Sequence, residues 1–200
     1  NLSESDRTLI WKKWDSIAQN KVGLIGSKWI EMINEIELEV LNNIDSVEEK
    51  SLVLKWGKSS DFSDIFNAKK WYGRLRTMFD KTMTGLIIEN MKEAFSSIGE
   101  NWNQVESPMD KEVSSALDNS INKIKVSVDK VSEEMKETIR KVINDNKNAN
   151  EAELKRVLKD TLKDTFKGAS TRAEMIAQTT ATYARGASQE IAWEPYGDTI

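Results

Sequence analysis

The sequence predicts an all-α protein, an extended bundle of about five to six helices, several of them long and coiled-coil-like. Three observations carry this expectation. Only two prolines (Pro108 and Pro195) and nine glycines punctuate 200 residues, too few for the regular turns that a β-sandwich or barrel demands. Apolar residues recur every three or four positions over most of the chain, the period of one helix face. Charged residues make up 31% and apolar residues 38%, which suits narrow apolar stripes backed by a large solvated surface. Seven Trp and seven Met give those stripes enough bulk to exclude wholesale disorder.

The first element opens on Ser3-Glu4-Ser5-Asp6, a dense helix-start signal. Ile10, Trp14 and Ile17 follow at helical spacing, and Trp29, Ile30, Ile33, Ile36, Val40, Leu41 and Ile44 resume it. Gly23 and Gly26 fall between the two runs and weaken a helix there. The pattern reads as helices over roughly 5–22 and 25–45, or as one kinked rod. Residues 46–66 are less regular. Leu52, Val53, Leu54 and Trp56 make a short helix or strand before the loop-like stretch from Gly57 to Asp64.

Asn67 is placed to cap a long helix carrying Trp71, Leu75, Met78, Phe79, Met83, Leu86, Ile87, Met91 and Phe95, with Gly99 as its stop. Ser107-Pro108 has the chemistry of an N-cap followed by proline at the first helical position. Beyond it Val113, Leu117, Ile121, Ile124, Val128, Val131, Met135, Ile139 and Val142 form a narrow stripe of coiled-coil character. The Asn144–Asn150 stretch breaks that stripe. Asn150 and Glu153 form a capping box for a helix through Leu154, Val157, Leu158, Leu162 and Phe166, closed at Gly168. Ser170 or Thr171 with Glu174 starts a last helix whose Ala173, Ala177, Thr180, Ala181 and Ala184 suit close packing, and the pattern fades after Gly186. The chain thus divides into an N-terminal helical region over 1–100, a long coiled-coil-like helix within 101–149 and a C-terminal region over 150–200, or the three form one continuous domain. The expected core includes Trp29, Ile33, Val40, Trp71, Leu75, Leu86, Ile87, Ile121, Ile124, Val131, Leu158 and Phe166.

Composition excludes several kinds of chemistry. With no Cys and no His, the chain has no disulfide, thiol nucleophile, zinc site of the usual ligand sets or imidazole-based catalysis. Magnesium held by carboxylates alone stays open as a rival enzymatic reading. Glu48-Glu49 and Glu133-Glu134 do not support it, because adjacent residues on a helix point apart; they read as solvated faces. Gly57-Lys58-Ser59-Ser60 resembles the end of a phosphate-binding loop, but Leu52 stands where that loop needs its first glycine. The sequence therefore predicts no catalytic residue, no metal and no cofactor.

Binding is left. A net charge of −4, from 29 basic and 33 acidic residues, argues against a protein built to coat nucleic acid. The most basic stretch runs through Lys155, Arg156, Lys159, Lys163, Lys167 and Arg172. Lys155, Arg156, Lys159 and Lys163 are the candidates for phosphate contact, against the alternative that Glu153, Asp160 and Asp164 pair with them. Trp14, Trp29 and Trp71 lie on the stripes and read as core. Trp11, Trp56, Trp102 and Trp193 lie off them and read as partner-facing. No run approaches transmembrane length and no charged-then-apolar leader is present, so no membrane association is expected. The chain opens on Asn1 rather than Met and stops soon after Trp193, and on this reading is a processed or trimmed piece of something longer.

One segment is more specific. Ala169-Ser170-Thr171-Arg172-Ala173-Glu174-Met175-Ile176-Ala177-Gln178-Thr179-Thr180 resembles the signature of the phage head-morphogenesis, or minor head protein, family typified by the F protein of phage Mu. That signature is an Arg-Ala pair, then Ile-Ala-Arg-Thr-Glu, then a helix rich in small residues. Arg172-Ala173, Ile176-Ala177 and Thr179 match it; Gln178 stands where the family has Arg, and Thr180 where it has Glu. The upstream order of a long helical pair, Phe66 and Trp71, a long helix and a linker helix is also similar. The family's later Trp-Asp-Arg-His segment has no counterpart, since this chain has no His.

The resemblance implies a minor head protein associated with the portal vertex, acting in capsid assembly and DNA packaging or delivery. Its partners would be portal and capsid proteins, with self-association or weak DNA contact beside them, and relatives fused to the portal fit such a piece. Its setting would be the virion, after assembly in the host cytoplasm. The residues it singles out for partner binding are Arg172, Ile176, Gln178 and Thr179, to which Trp193 is added as an off-stripe aromatic. The competing reading is a helical coiled-coil adaptor unrelated to phage, using the 113–142 stripe as its seam.

Overall fold

The computed structural model describes residues 4–47, 62–100 and 110–193. Every regular element among them is a helix: α1 (Glu4–Ser46), α2 (Ala68–Ser97), α3 (Asp110–Asp145), α4 (Glu151–Thr171) and α5 (Ala173–Trp193). Only Arg172 separates α4 from α5, so the described residues form four long helical runs, fewer than the five or six expected. The all-α class holds. The short element before the Gly57 loop, Glu48-Glu49, Lys58-Ser59-Ser60, Trp56, Trp102 and the Ser107-Pro108 cap lie outside the described residues.

The lower count has a physical reason. Gly23 and Gly26 do not divide α1, which runs unbroken for 43 residues. A helical glycine costs about 1 kcal/mol relative to alanine, whereas Ile25 and Trp29 beside them are fully buried and each contributes about 2–3 kcal/mol. The same balance carries α4 through Gly168, flanked by buried Phe166 and Ala169, and α5 through Gly186, beyond which Ser188, Gln189 and Ala192 are still buried. Gly168 does not end its helix where the sequence placed the end, and α5 runs past Gly186 to Trp193, across the stretch where the pattern fades.

The caps follow local chemistry more closely. Asn67 Oδ1 accepts the Lys70 N–H at 3.3 Å, and Asn150, in extended conformation, accepts the Glu153 N–H at 3.0 Å. Past the end of α2, Gly99 takes φ +83°. The Glu100 N–H then reaches Phe95 O (3.0 Å) and the Gly99 N–H reaches Ser96 O (3.2 Å), the paired bonds of a Schellman ending, for which glycine is the favoured residue.

The described residues fall into two compact units that cut across the division at residues 100 and 150. The first draws on 4–28, 75–100, 110–124 and 174–193, and the second on 29–47, 62–74 and 125–173. In the first unit Trp14, Phe79, Met83, Leu86, Ile87, Met91, Phe95, Leu117 and Ile121 pack with many alanines, among them Ala18, Ala94, Ala116, Ala177, Ala181 and Ala184. The second has bulkier contents: Trp29, Met32, Ile33, Ile36, Val40, Ile44, Phe62, Ile65, Trp71, Val128, Val131, Met135, Ile139, Leu154, Leu158, Leu162 and Phe166. All twelve residues expected in the core are buried. The α3 stripe is buried from Leu117 to Val142, with Val113 half-buried. No helix among the described residues is long and apolar enough to cross a membrane.

Candidate functional site

In the second unit the family-like segment begins on the last turn of α4. Ala169 is fully buried, and its carbonyl accepts the indole N–H of Trp29 at 3.0 Å, tying α1 to the end of α4. Arg172 leaves helical geometry at φ −84°, ψ 0° while its own N–H still reaches Ala169 O and Ser170 O. Its side chain forms a two-pronged pair with Glu134 on α3: Nη1 to Oε1 at 2.7 Å and Nη2 to Oε2 at 2.6 Å. The fork geometry matches guanidinium to carboxylate. Those hydrogen bonds hold the Glu134 carboxyl below its ordinary range, against a smaller opposing effect of burial and with help from the Arg172 and Lys130 charges. Reciprocally, they raise Arg172 further. Glu134, read from the sequence as a solvated face, is thus half-buried and paired. Glu133, its neighbour, turns outward to Lys136 at 2.7 Å.

α3 and α4 run antiparallel beside this pair, with the Thr138 and Thr165 hydroxyls 3.2 Å apart. Between them lies an open groove of about 570 Å³ lined by Glu134, Glu137, Thr138, Lys141, Asp164, Thr165, Gly168 and Arg172. The four candidates for phosphate contact, also on α4, all have acidic neighbours. Lys159 reaches both carboxylate oxygens of Asp45, at 2.8 and 3.1 Å. Lys155 meets Glu151 at 2.7 Å and the Asp45 carbonyl at 3.3 Å. Arg156 and Lys163 lie 4.0 and 3.7 Å from Asp160. These are mostly exposed pairs of small energetic weight, but they occupy the charges that an anion would need.

In the first unit the rest of the segment forms the start of α5, and its faces separate cleanly. Ile176, Ala177 and Thr180 turn into the core, so Ile176 contributes packing rather than an accessible contact. Met175, at 57% exposure, lies outward with Gln178 and Thr179; Gln178 also donates to Glu174 at 3.2 Å. Trp193 is half-buried, its ring 5.2 Å from that of core Trp14. Trp11 is 52% exposed, stacks edge-on against Trp14 at 5.6 Å and carries the Arg185 guanidinium 5.5 Å above its ring. Arg185 in turn approaches Asp15 at 3.4 Å. The five residues singled out for partner binding therefore divide: Arg172 belongs to the second unit, and Ile176, Gln178, Thr179 and Trp193 to the first.

Among the described residues no group of three or more acidic side chains is arranged to hold a metal ion. Sequence reasoning missed Glu134 as the partner of Arg172 and Asp45 as the partner of Lys159. α3 and α4 flank the Asn144–Asn150 break, but Glu134 and Arg172 are not at matched distances from it, so distance along the sequence does not pair them. Comparison with known protein families, curated proteins and solved structures finds no match for this chain.

Proposed function

We propose that the chain is a phage minor head protein that acts by docking, at the portal vertex, in capsid assembly and DNA packaging or delivery. On this reading it performs no chemistry of its own, and its place is in the virion after assembly in the host cytoplasm. One observation carries the proposal: the segment Ala169–Thr180, with Arg172-Ala173, Ile176-Ala177 and Thr179 in the family's positions. Its division into an inward face of small and apolar side chains and an outward face of Met175, Gln178 and Thr179 supports a helix that packs on one side and meets a partner on the other. Exposed Trp11 beside Arg185 adds the residue types that dominate binding energy at interfaces. The test is co-purification with portal and heads from infected cells. The tagged chain is expected in both fractions, and Met175→Glu with Thr179→Glu is expected to deplete it; a chain recovered with neither defeats the proposal.

The second reading, a coiled-coil adaptor unrelated to phage, needs the 113–142 stripe as an intermolecular seam. That stripe is already covered within the chain from Leu117 onward. Ile124→Asp with Val131→Asp separates the two. The assembly reading expects loss of folding, whereas the adaptor reading expects a folded chain of reduced mass in solution.

A further inference from the structure

We draw no further inference here: the strongest candidate, the aromatic cluster of Trp11, Trp14 and Trp193 where the start of α1 meets the end of α5, carries nothing because the unpartnered indole N–H groups of Trp14 and Trp193 are sealed from solvent and nothing in the structure shows what covers the exposed ring of Trp11.

Discussion

The two units solve the same packing problem with different materials. Among the described residues, the buried polar side chains of the first unit are Thr82, Asn90, Ser120, Thr180, Ser188 and Gln189, whereas the second has Ser132. Three of those in the first unit bond along their own helix: Asn90 to Leu86 O, Ser120 to Ala116 O and Ser188 to Ala184 O. Such bonds satisfy a group without joining two elements. The second unit directs its polar groups across elements, through Trp29 to Ala169, Asn43 to Ile65 O, Tyr72 to Asp129 and the Arg172–Glu134 fork. Orphaned buried atoms follow the same division. Trp14 Nε1, Asn90 Oδ1, Glu112 Oε2, Gln189 Nε2 and Trp193 Nε1 lie in the first unit, and Trp71 Nε1 in the second. Arg74 lies 4.6 Å from the Trp71 ring centre and pairs with the Glu35 carboxylate at 2.5 Å. The first unit's elements are joined in its interior by apolar packing and at its surface by ion pairs such as Lys13–Glu93 and Arg185–Asp15, so its amides should exchange with solvent sooner than those of the second unit.

The largest test of this contrast compares two tryptophans. Trp29→Ala and Trp14→Ala should each lose about 3–5 kcal/mol of stability in urea unfolding, since both rings are buried. Phenylalanine separates them. Trp29→Phe removes the indole donor from the Ala169 carbonyl, whereas Trp14→Phe removes an N–H that has no acceptor. Trp29→Phe should therefore be worse by about 1–2 kcal/mol; equal losses would break the comparison.

Next in size is the Arg172–Glu134 fork. Glu134→Gln should lose about 1–2 kcal/mol at neutral pH, toward the lower end for a charged hydrogen bond because the pair is partly open to solvent. Because the folded chain holds Glu134 below its ordinary range, the pair's contribution is present above that range. It fades as pH falls through the depressed folded value. Acid unfolding of the parent and of Glu134→Gln should converge at low pH, and parallel curves would remove the linkage.

Gln189→Leu runs the opposite way. It replaces a buried orphan donor in the first unit by an apolar group and should gain about 1 kcal/mol; a loss would mean that Nε2 is satisfied in solution. The smallest effect concerns Tyr72, whose hydroxyl donates to Asp129. Burial, that hydrogen bond and the Asp129 charge together push its pKa up to about 12. Tyr72 holds its proton more tightly when folded, so its contribution is intact below about pH 10 and is lost as pH rises towards the raised value. Tyr72→Phe should lose about 1 kcal/mol at neutral pH and flatten that alkaline limb.

The readability of this molecule from its sequence followed the range of the forces involved. Caps at Asn67, Asn150 and Gly99 act over a few residues and were legible, as was the α3 stripe, because one face of a helix writes its burial into local spacing. The helix end at Gly168 was misplaced because burial on either side of the glycine outweighs its local penalty, and that burial is supplied by distant elements. The partnerships of the candidate sites were least legible. Glu134 and Arg172 lie 38 positions apart, and Lys159 and Asp45 lie 114 apart. Nothing at Glu133-Glu134 distinguishes the residue that turns inward from the one that does not, until the hairpin register is known. The face of α5 that hides Ile176 and bares Gln178 and Thr179 was implicit in the alanine spacing, but a family motif names positions without saying which side of the helix they occupy.

The indole of Trp29 gives the second unit a magnetic reporter. Its N–H is bonded to the carbonyl of the residue that follows Gly168, whereas Trp14, Trp71 and Trp193 have buried indole N–H groups with no acceptor. A distinct, slowly exchanging indole resonance is therefore tied to the backbone beside the groove floor. Its position registers any displacement of that backbone without an added label.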